Sequence, residues 1–238
     1  MLQKLLFPIL LFFSLASDAQ GTYDFDIQKE SMFLPAPKKA GKFDHSITLA
    51  QIYLPKDWLE QSISGPMIEY RAGYFLSEAF SLIGAFKTLV VANELRLGLS
   101  WNHSFSDEVQ FGLGYQAALD FGFLRTYGYD NTIRLLQHYP SFRIGYNRKE
   151  IALTLQGKLD YISSARVSLG SYETDNLIKY LFNGYSFGLF VEQRLTRKHS
   201  VSFGFIANFD KFNILGWPAF NTIHRKYFIP ELNIGFKL

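Results

Sequence analysis

A strict alternation of apolar and polar side chains runs from about residue 43 to the C-terminus, and it constrains this chain more than any other feature. It is clearest in residues 109–123, where the odd-numbered positions read Val, Phe, Leu, Tyr, Ala, Leu, Phe, Phe. The even-numbered positions between them read Gln, Gly, Gly, Gln, Ala, Asp, Gly. Because successive side chains of a β-strand point to opposite faces, this pattern predicts a strand with one oily face and one small or polar face.

The alternation recurs in ten segments, most of them about ten residues long. A tilted strand of about that length crosses the hydrocarbon core of a bilayer. Since every backbone polar group in lipid needs a partner within the protein, a sheet that crosses the membrane has to close on itself. The sequence therefore predicts an all-β protein: a closed, up-and-down, antiparallel transmembrane β-barrel of ten strands, with eight or twelve strands as the alternatives.

Short and long connections alternate along the chain, as in barrels that carry short turns on one rim and longer loops on the other. Short connections are expected at residues 77–79, 104–108, 148–150 and 196–199. Long connections are expected at residues 54–65, 124–137, 162–183 and 211–224. An even number of strands places both chain termini on the short-turn rim, which in outer-membrane barrels is periplasmic.

The bulky aromatic and aliphatic residues share one face of these strands, and Gly, Ser and charged residues share the other. The bulky set would overfill the interior of a small barrel, so we expect it to contact lipid while the polar set lines the lumen. A soluble lipocalin-like ligand binder, with the two faces reversed, is the alternative without a membrane. The predicted membrane-facing girdle consists of aromatic residues near strand ends: Tyr74, Trp101, Phe121, Phe123, Tyr146, Tyr161, Tyr185 and Phe209.

Charged side chains on the predicted inner face form the main candidate site. Three strands carry Glu-x-Arg, whose two charges point the same way because they are two residues apart. Buried charges need partners or water, so this set forms either an ion-pair network that plugs the lumen, which we favour, or the lining of a narrow pore. The predicted network consists of Glu69, Arg71, Glu94, Arg96, Asp120, Arg143, Lys158, Asp160, Glu192, Arg194 and Glu231.

The first 42 residues differ from the rest of the chain. Residues 1–19 have a short basic start, an apolar run and small residues at a cleavage position, which is the layout of a secretory signal peptide. Residues 20–42 contain prolines and several lysines, and we expect an exposed lead-in segment on the periplasmic side, with a short extra strand at residues 23–27 as an alternative. Residues 43–238 then form the barrel.

Composition narrows the possible chemistry. The chain has no Cys, which excludes disulfides and thiol chemistry, and its formal net charge of +3 is too slight for a nucleic-acid-binding surface. No spacing of His, Asp and Glu indicates a metal site, and no motif indicates a cofactor. We therefore expect no metal, no cofactor and no nucleic-acid partner.

The last strand alternates up to the final residue, with apolar positions at Leu232, Ile234, Phe236 and Leu238. This ending resembles the C-terminal insertion signal of outer-membrane barrel proteins, and residues 43–238 resemble the small OmpA-like outer-membrane β-barrel family. The resemblance implies location in the outer membrane, contact with its lipid, and recognition by the barrel-assembly machinery during insertion. Two features depart from the family pattern: the last residue is Leu rather than Phe, and Pro230 predicts a bulge or a late start of the last strand.

Three functions are open for such a barrel. We favour a structural or binding role through the outer loops, with an extracellular ligand or protein as partner; a narrow channel for small polar solutes or ions is the alternative. The loop aromatics available for binding are Tyr127, Tyr129, Tyr172, Tyr180, Phe182, Trp217 and Phe220. An outer-rim protease, lipase or acyltransferase is least favoured, and no residue is assigned a catalytic role. Such an enzyme would draw its acid and base from Asp57, Asp130, His138, Asp175 and His224.

Overall fold

The computed structural model describes residues 25–59, 64–89, 91–126, 129–148, 150–170, 172–173, 178–196, 199–215 and 224–238, so the predicted signal peptide lies outside the described residues. Within these residues there are two short helices, α1 (Ile27–Glu30) and α2 (Lys56–Leu59). The strands are β1 (Phe43–Tyr53), β2 (Ser64–Phe75), β3 (Phe80–Thr88), β4 (Ala92–Ser104), β5 (Val109–Thr126), β6 (Tyr129–Arg148), β7 (Ile151–Leu169), β8 (Tyr172–Glu173), β9 (Leu181–Arg194), β10 (Ser200–Asp210) and β11 (Tyr227–Lys237).

Ten of these strands form a closed antiparallel barrel, which confirms the predicted fold. Each strand pairs with its neighbours in chain order, the two-residue β8 only extends the edge of β7, and β1 pairs with β11 to close the ring. We call the rim that contains residues 76–79, 105–108 and 195–196 the turn end, and the opposite rim the loop end. Neither helix in the described part of the chain has the length and apolar character to cross a membrane.

The bulky face of the sheet points outward and the charged face points inward, as predicted. Leu113 and Leu153 are 47% and 43% exposed, whereas Glu69 and Glu192 are 3% and 0% exposed. A soluble barrel would show the reverse, with the apolar face packed inside. This orientation follows from the two-residue period, since closing the sheet encloses every second side chain.

The hairpins between β5, β6 and β7 correct the expected loops at residues 124–137 and 162–183. These three strands have 18, 20 and 19 residues, so most of the expected loop sequence is strand. Near the loop end the apolar residues lie on the inner face instead of the outer face. Ile133 and Leu135 point inward and are 0% and 1% exposed, while Arg134 between them is exposed. At this end the outer wall carries exposed charged residues, and the inner wall packs against other protein segments.

The last strand also departs from expectation. The predicted bulge or late start at Pro230 is wrong, because β11 begins at Tyr227 and Pro230 stands opposite Ala207 in regular register with β10. Pairing of β11 with β1 begins only after the proline, at Glu231. Proline has no N–H to donate, but no hydrogen bond is lost to β1 at this position because the pairing of β11 with β1 has not yet begun.

The eight aromatic residues predicted as a girdle all lie on the outward-facing positions of their strands. They fall into two groups at different heights of the barrel wall. The group near the turn end is Tyr74, Trp101 and Tyr146, and the group nearer the loop end is Phe121, Phe123, Tyr161, Tyr185 and Phe209. At the loop end, the rings of Tyr185 and Phe209 stack with centroids 5.2 Å apart.

Candidate functional site

The lumen at the turn end contains residues 25–38, which we call the plug, and a cavity of about 150 Å³ remains between the plug and the barrel wall. Asp26 caps α1 by accepting a hydrogen bond from the backbone N–H of Gln28, and the chain then runs into the barrel. Ile27, Phe33 and Leu34 are 1%, 2% and 4% exposed. The expected exposed lead-in is therefore wrong for this part of the chain, and the alternative strand at residues 23–27 is not formed by the described residues, since Ile27 begins a helix.

Glu192 on β9 holds the plug through its backbone. Its carboxylate accepts hydrogen bonds from the N–H groups of Met32 at 2.6 Å, Phe33 at 3.1 Å and Leu34 at 3.0 Å. This charge is fully buried, and three convergent N–H donors are what a buried carboxylate requires. The sequence predicted Glu192 as part of an ion-pair network with Arg194, but Arg194 instead pairs with Glu150 at the turn end, 2.6 Å away.

The side chain of Phe33 is fixed on both faces. Its ring stacks on the ring of Phe190 with centroids 3.8 Å apart and an angle of 11° between the planes, while the guanidinium of Arg71 lies 4.4 Å from the ring centroid. Arg143 donates hydrogen bonds to the Phe33 carbonyl at 3.4 Å and to Ser100 Oγ at 2.6 Å. Two of the predicted network arginines thus hold the plug.

The barrel wall has room for the plug because two glycines face it. A Cβ at Gly112 would lie 2.7 Å from Pro35, and one at Gly145 would lie 2.9 Å from the same proline. Both distances are too short for real carbon contacts, so any side chain at either position would displace the plug. The small residues of the inner face therefore accommodate a second chain segment.

A cluster of lysines around Asp44 closes the base of the plug. Lys38 Nζ lies 2.7 Å from the Asp44 carboxylate and donates to the Ser31 carbonyl at 2.8 Å. Lys237 Nζ lies 2.9 Å from Asp44 and donates to the Lys29 carbonyl at 3.2 Å. Burial of Lys38, followed by repulsion from Lys237, lowers the pKa of the Lys38 ammonium to about 8.

Beyond the plug, the loop half of the lumen holds a charged cavity of about 110 Å³, which we call the chamber. Arg96 joins two carboxylates, with its nitrogens 2.7 Å from Glu69 and 2.9 Å from Glu94, and Glu69 also pairs with Arg71. The hydroxyl of Tyr139 donates to Glu94 at 2.8 Å, and Lys158 Nζ lies 4.2 Å from the Tyr139 ring centroid. All eleven predicted network residues point into the lumen, and those nearest its middle line the chamber.

Lys87 and Tyr139 are among the chamber residues that were not predicted. Lys87 Nζ lies 2.9 Å from the Glu231 carboxylate. Lys87 faces inward on β3, because it lies an even number of positions from the buried Ser81 and Ala85. Tyr139 was missed because the expected loop hid the inward series Ile133, Leu135, Gln137, Tyr139 on β6. In both strands the two-residue alternation of the sequence places the missed residue on the inner face.

Three chamber carboxylates have no basic partner among the residues that the structure describes. Asp120 accepts a hydrogen bond from the Gln137 amide, and Asp160 accepts one from Asn183 Nδ2 at 2.6 Å. The other oxygen, Oδ1, of each has no hydrogen-bond partner in this part of the chain. Asp210 completes this group, which we call the aspartate set (Asp120, Asp160 and Asp210).

Residues 211–215, which we call the lid, cover the chamber from the loop end. Phe212 and Ile214 pack against a cluster on β6 and β7 that includes Ile133, and Leu215 packs against the cluster of β1, β2 and β11 that includes Ile52. These walls are on opposite sides of the ring, so the lid crosses the mouth. Its anchor is a pair of hydrogen bonds between the Asn183 amide and the backbone of Phe212, each 2.8 Å.

The predicted catalytic candidates are not brought together as an acid–base pair. Asp57 pairs with Arg225 and Asp130 pairs with Arg125 in the exposed loop region, and Asp175 lies outside the described residues. No arrangement of three or more His, Asp and Glu side chains within the described ranges is suited to a metal ion. His224 is exposed at the loop end.

His138 lies elsewhere than expected, on the outer wall of β6 rather than in a loop. Its Nδ1 is 2.5 Å from the hydroxyl of Tyr115, and its Nε2 is 2.8 Å from Ser163 Oγ. Ser163 occupies a bulge in the pairing of β6 with β7, where Gln137 pairs with Ile162 and Leu136 pairs with Ser164. Bulges often re-aim a side chain, and this one turns Ser163 towards the histidine.

Several loop aromatics and the C-terminal residues can also be placed. Tyr180 is 69% exposed with a positive φ of 56°, and Phe182 is 44% exposed on β9. Tyr129 begins β6 and Tyr172 belongs to β8, whereas Tyr127, Trp217 and Phe220 lie outside the described residues. The predicted insertion signal, Leu232, Ile234, Phe236 and Leu238, occupies outward-facing positions on β11 and at its end.

No protein-family model matches the chain, and neither does any curated protein. Among solved structures, it is similar to the outer membrane protease OmpT of Escherichia coli, with 11% identity over 88% of this chain and 97% of that one, and a TM-score of 0.48. It is similar to Neisserial surface protein A, with 14% identity, coverage of 82% and 96%, and a TM-score of 0.41. It is also similar to the NanC porin, with 10% identity, coverage of 82% and 98%, and a TM-score of 0.42.

These structures carry different functions, and identities this low concern the fold alone. The chain's own features agree with that fold: a closed ten-stranded antiparallel ring, an oily outer wall and an ionic interior. What the chain itself establishes is the fold class of a closed ten-stranded antiparallel β-barrel.

Proposed function

We propose that the protein is an outer-membrane barrel whose lumen is closed at both ends and encloses a binding chamber, with the turn end and both termini on the periplasmic side. The observation that supports this most directly is the plug, whose backbone is bonded to the buried Glu192 carboxylate. A segment held by charge-assisted hydrogen bonds occupies the cross-section that a diffusing solute would need. The lid supports the same conclusion from the other end.

Conductance in planar bilayers tests this closure. The wild-type barrel, purified in a folded form that shows heat-modifiable migration on gels, should give no stable conductance steps. Glu192→Ala loosens the plug and Asn183→Ala loosens the lid, so the double variant should open most often and each single variant only rarely. Steady openings in the wild-type protein, or a folded double variant as silent as wild type, would contradict the closed barrel.

A second candidate function is supported by the outer wall. When Nδ1 of His138 carries its proton towards the Tyr115 oxygen, Nε2 is free to accept the proton of Ser163, which is the relation between a serine nucleophile and its base. Because these side chains face the membrane, the substrate would be a lipid ester. The serine oxygen would attack the acyl carbon, His138 would take the serine proton and return it to the leaving alcohol, and water would then release the acid.

A fluorophosphonate probe tests this second function. Active serine hydrolases react with such probes, so the wild-type protein should be labelled and Ser163→Ala should not be. Ser164→Ala is the matched control, since Ser164 is the next residue on the same strand and is exposed. An unlabelled wild-type protein in lipid bilayers, or equal labelling of Ser163→Ala, would exclude it.

Three partners expected from the sequence stay proposals. Outward-facing apolar residues on every barrel strand support lipid as the surrounding phase. The outward row at the end of β11 supports the assembly machinery as the partner during insertion, and the exposed Tyr180 and Phe182 support an extracellular partner at the loop end.

A further inference from the structure

The chamber contains more negative than positive side chains. Six acidic and four basic residues line it among those that the structure describes. Glu69, Glu94 and Glu231 are matched by Arg71, Arg96 and Lys87 in ion pairs. The aspartate set has no such match, and Lys158, the remaining cation, lies over the ring of Tyr139.

The unmatched carboxylates are buried in the chamber wall. Asp120 and Asp160 are 0% and 6% exposed, and the Oδ1 oxygen of each has no hydrogen-bond partner among the described residues. Buried carboxylate oxygens without donors are costly, and native proteins satisfy them with a donor, a cation or water. Both side chains line the same cavity, so one ligand could satisfy both.

We propose that the chamber binds a small organic cation that carries one or more protonated amino groups. Its N–H groups would donate to the carboxylates of the aspartate set after small side-chain rotations towards the cavity, and its alkyl part would contact Phe212 of the lid and Ile206 on β10. A directly coordinated metal ion is a poorer fit, because the described acidic side chains form no metal-binding group of three. An amine can instead reach separated carboxylates, since each ammonium carries three donors.

The volume limits the size of this ligand. The chamber measures about 110 Å³, and a single buried water needs roughly 10–15 Å³ by the same measure. A molecule of several heavy atoms therefore fits, such as a short alkyl diamine.

The lid is connected to the aspartate set through one side chain. Asn183 donates to Asp160 at 2.6 Å and also exchanges two hydrogen bonds with the backbone of Phe212 in the lid. An ammonium group at Asp160 would therefore lie next to the lid anchor, and exchange with the loop-end solution requires the lid to move. Removing the anchor should speed association and dissociation together.

The inference rests on the closed barrel proposed above, and calorimetry on the folded protein in detergent tests it. The probe is 1,4-diaminobutane, with 1,4-butanediol as the neutral analogue and Mg²⁺ as the metal. We expect one diamine per barrel and no heat from the diol or the metal. Asp160→Asn and Asp120→Asn should each weaken diamine binding at least tenfold, whereas Glu150→Gln, outside the chamber, should leave it unchanged.

Every other result would contradict either the proposed ligand class or the closed barrel. Absence of diamine binding in a barrel that is silent in bilayers would refute the ligand class while leaving the closure intact, and would mean that protons or water alone satisfy the aspartates. Preferential binding of Mg²⁺, or equal binding by wild type and both folded Asn variants, would refute it as well. Steady conductance by the wild-type protein would instead contradict the closed barrel itself.

Discussion

Replacing Glu192 by Ala should release the plug while leaving the barrel closed as a sheet. Hydrogen bonds to a charged group contribute about 1.5–3 kcal/mol each. The variant loses three of them, and water entering the space left by the side chain satisfies part of the exposed N–H groups. We therefore expect a net loss on the order of 3 kcal/mol in plug docking, which is roughly a 100-fold increase in the undocked population.

Hydrogen–deuterium exchange measured by mass spectrometry reports this change directly. The amides of residues 32–34 should exchange up to about 100-fold faster in Glu192→Ala, while amides of the barrel strands keep their protection. Glu192→Gln keeps one acceptor oxygen and should be intermediate. Glu150→Ala, which removes a carboxylate at the turn end without touching the plug, is the matched control. Unchanged exchange of the plug amides in a folded Glu192→Ala barrel would refute the reasoning.

Three further changes probe the plug and the chamber. Gly145→Val places a side chain against the plug and should increase its cleavage by protease, whereas Gly73→Ala, which meets no atom closer than 3.9 Å, should not; equal cleavage of both variants would contradict the close approach. Because the docked form holds the pKa of Lys38 at about 8 and the free amine titrates near 10.5, the unfolded chain binds more protons between these values. The free energy of unfolding in urea should therefore rise with pH through this window, and the rise should be smaller in Lys38→Met; identical pH profiles would contradict it. Glu231→Ala leaves Lys87 without its nearest partner and should lower the free energy of unfolding by about 2–3 kcal/mol, less than for a dry ion pair because the chamber admits water, and no change would remove Glu231 from the stabilising network.

The barrel was predictable because closing the sheet encloses every second side chain. Wherever the outer wall is apolar and the inner wall is polar, the sequence alternates, as it does in residues 109–123 on β5. On β6 the prediction failed because Ile133 and Leu135 face inward while Arg134 faces outward. The apolar residues there change from the outer to the inner face, so a search that follows one apolar face takes the segment for a loop.

The plug was not predictable from periodicity for a different reason. Residues 31–38 form neither helix nor strand and lie in the lumen instead of in the sheet, so their contacts come from several walls and follow no repeat. Phe33 touches Phe190 and Arg71, which are more than a hundred positions apart in the chain. The glycines of the inner face indicate free space in the lumen, but the sequence does not show which segment occupies that space.

The attachment of the plug to β9 has a consequence for the order of assembly. Residues 32–34 are made long before Glu192, which follows Met32 by 160 positions. Their carboxylate acceptor, Glu192, is absent until most of the barrel has been synthesised. The seam between β1 and β11 joins the two ends of the sheet, and the plug directly precedes β1. The N-terminal segment must therefore wait in an undocked form and settle as the seam closes, so that burial of Phe33 marks a completed ring.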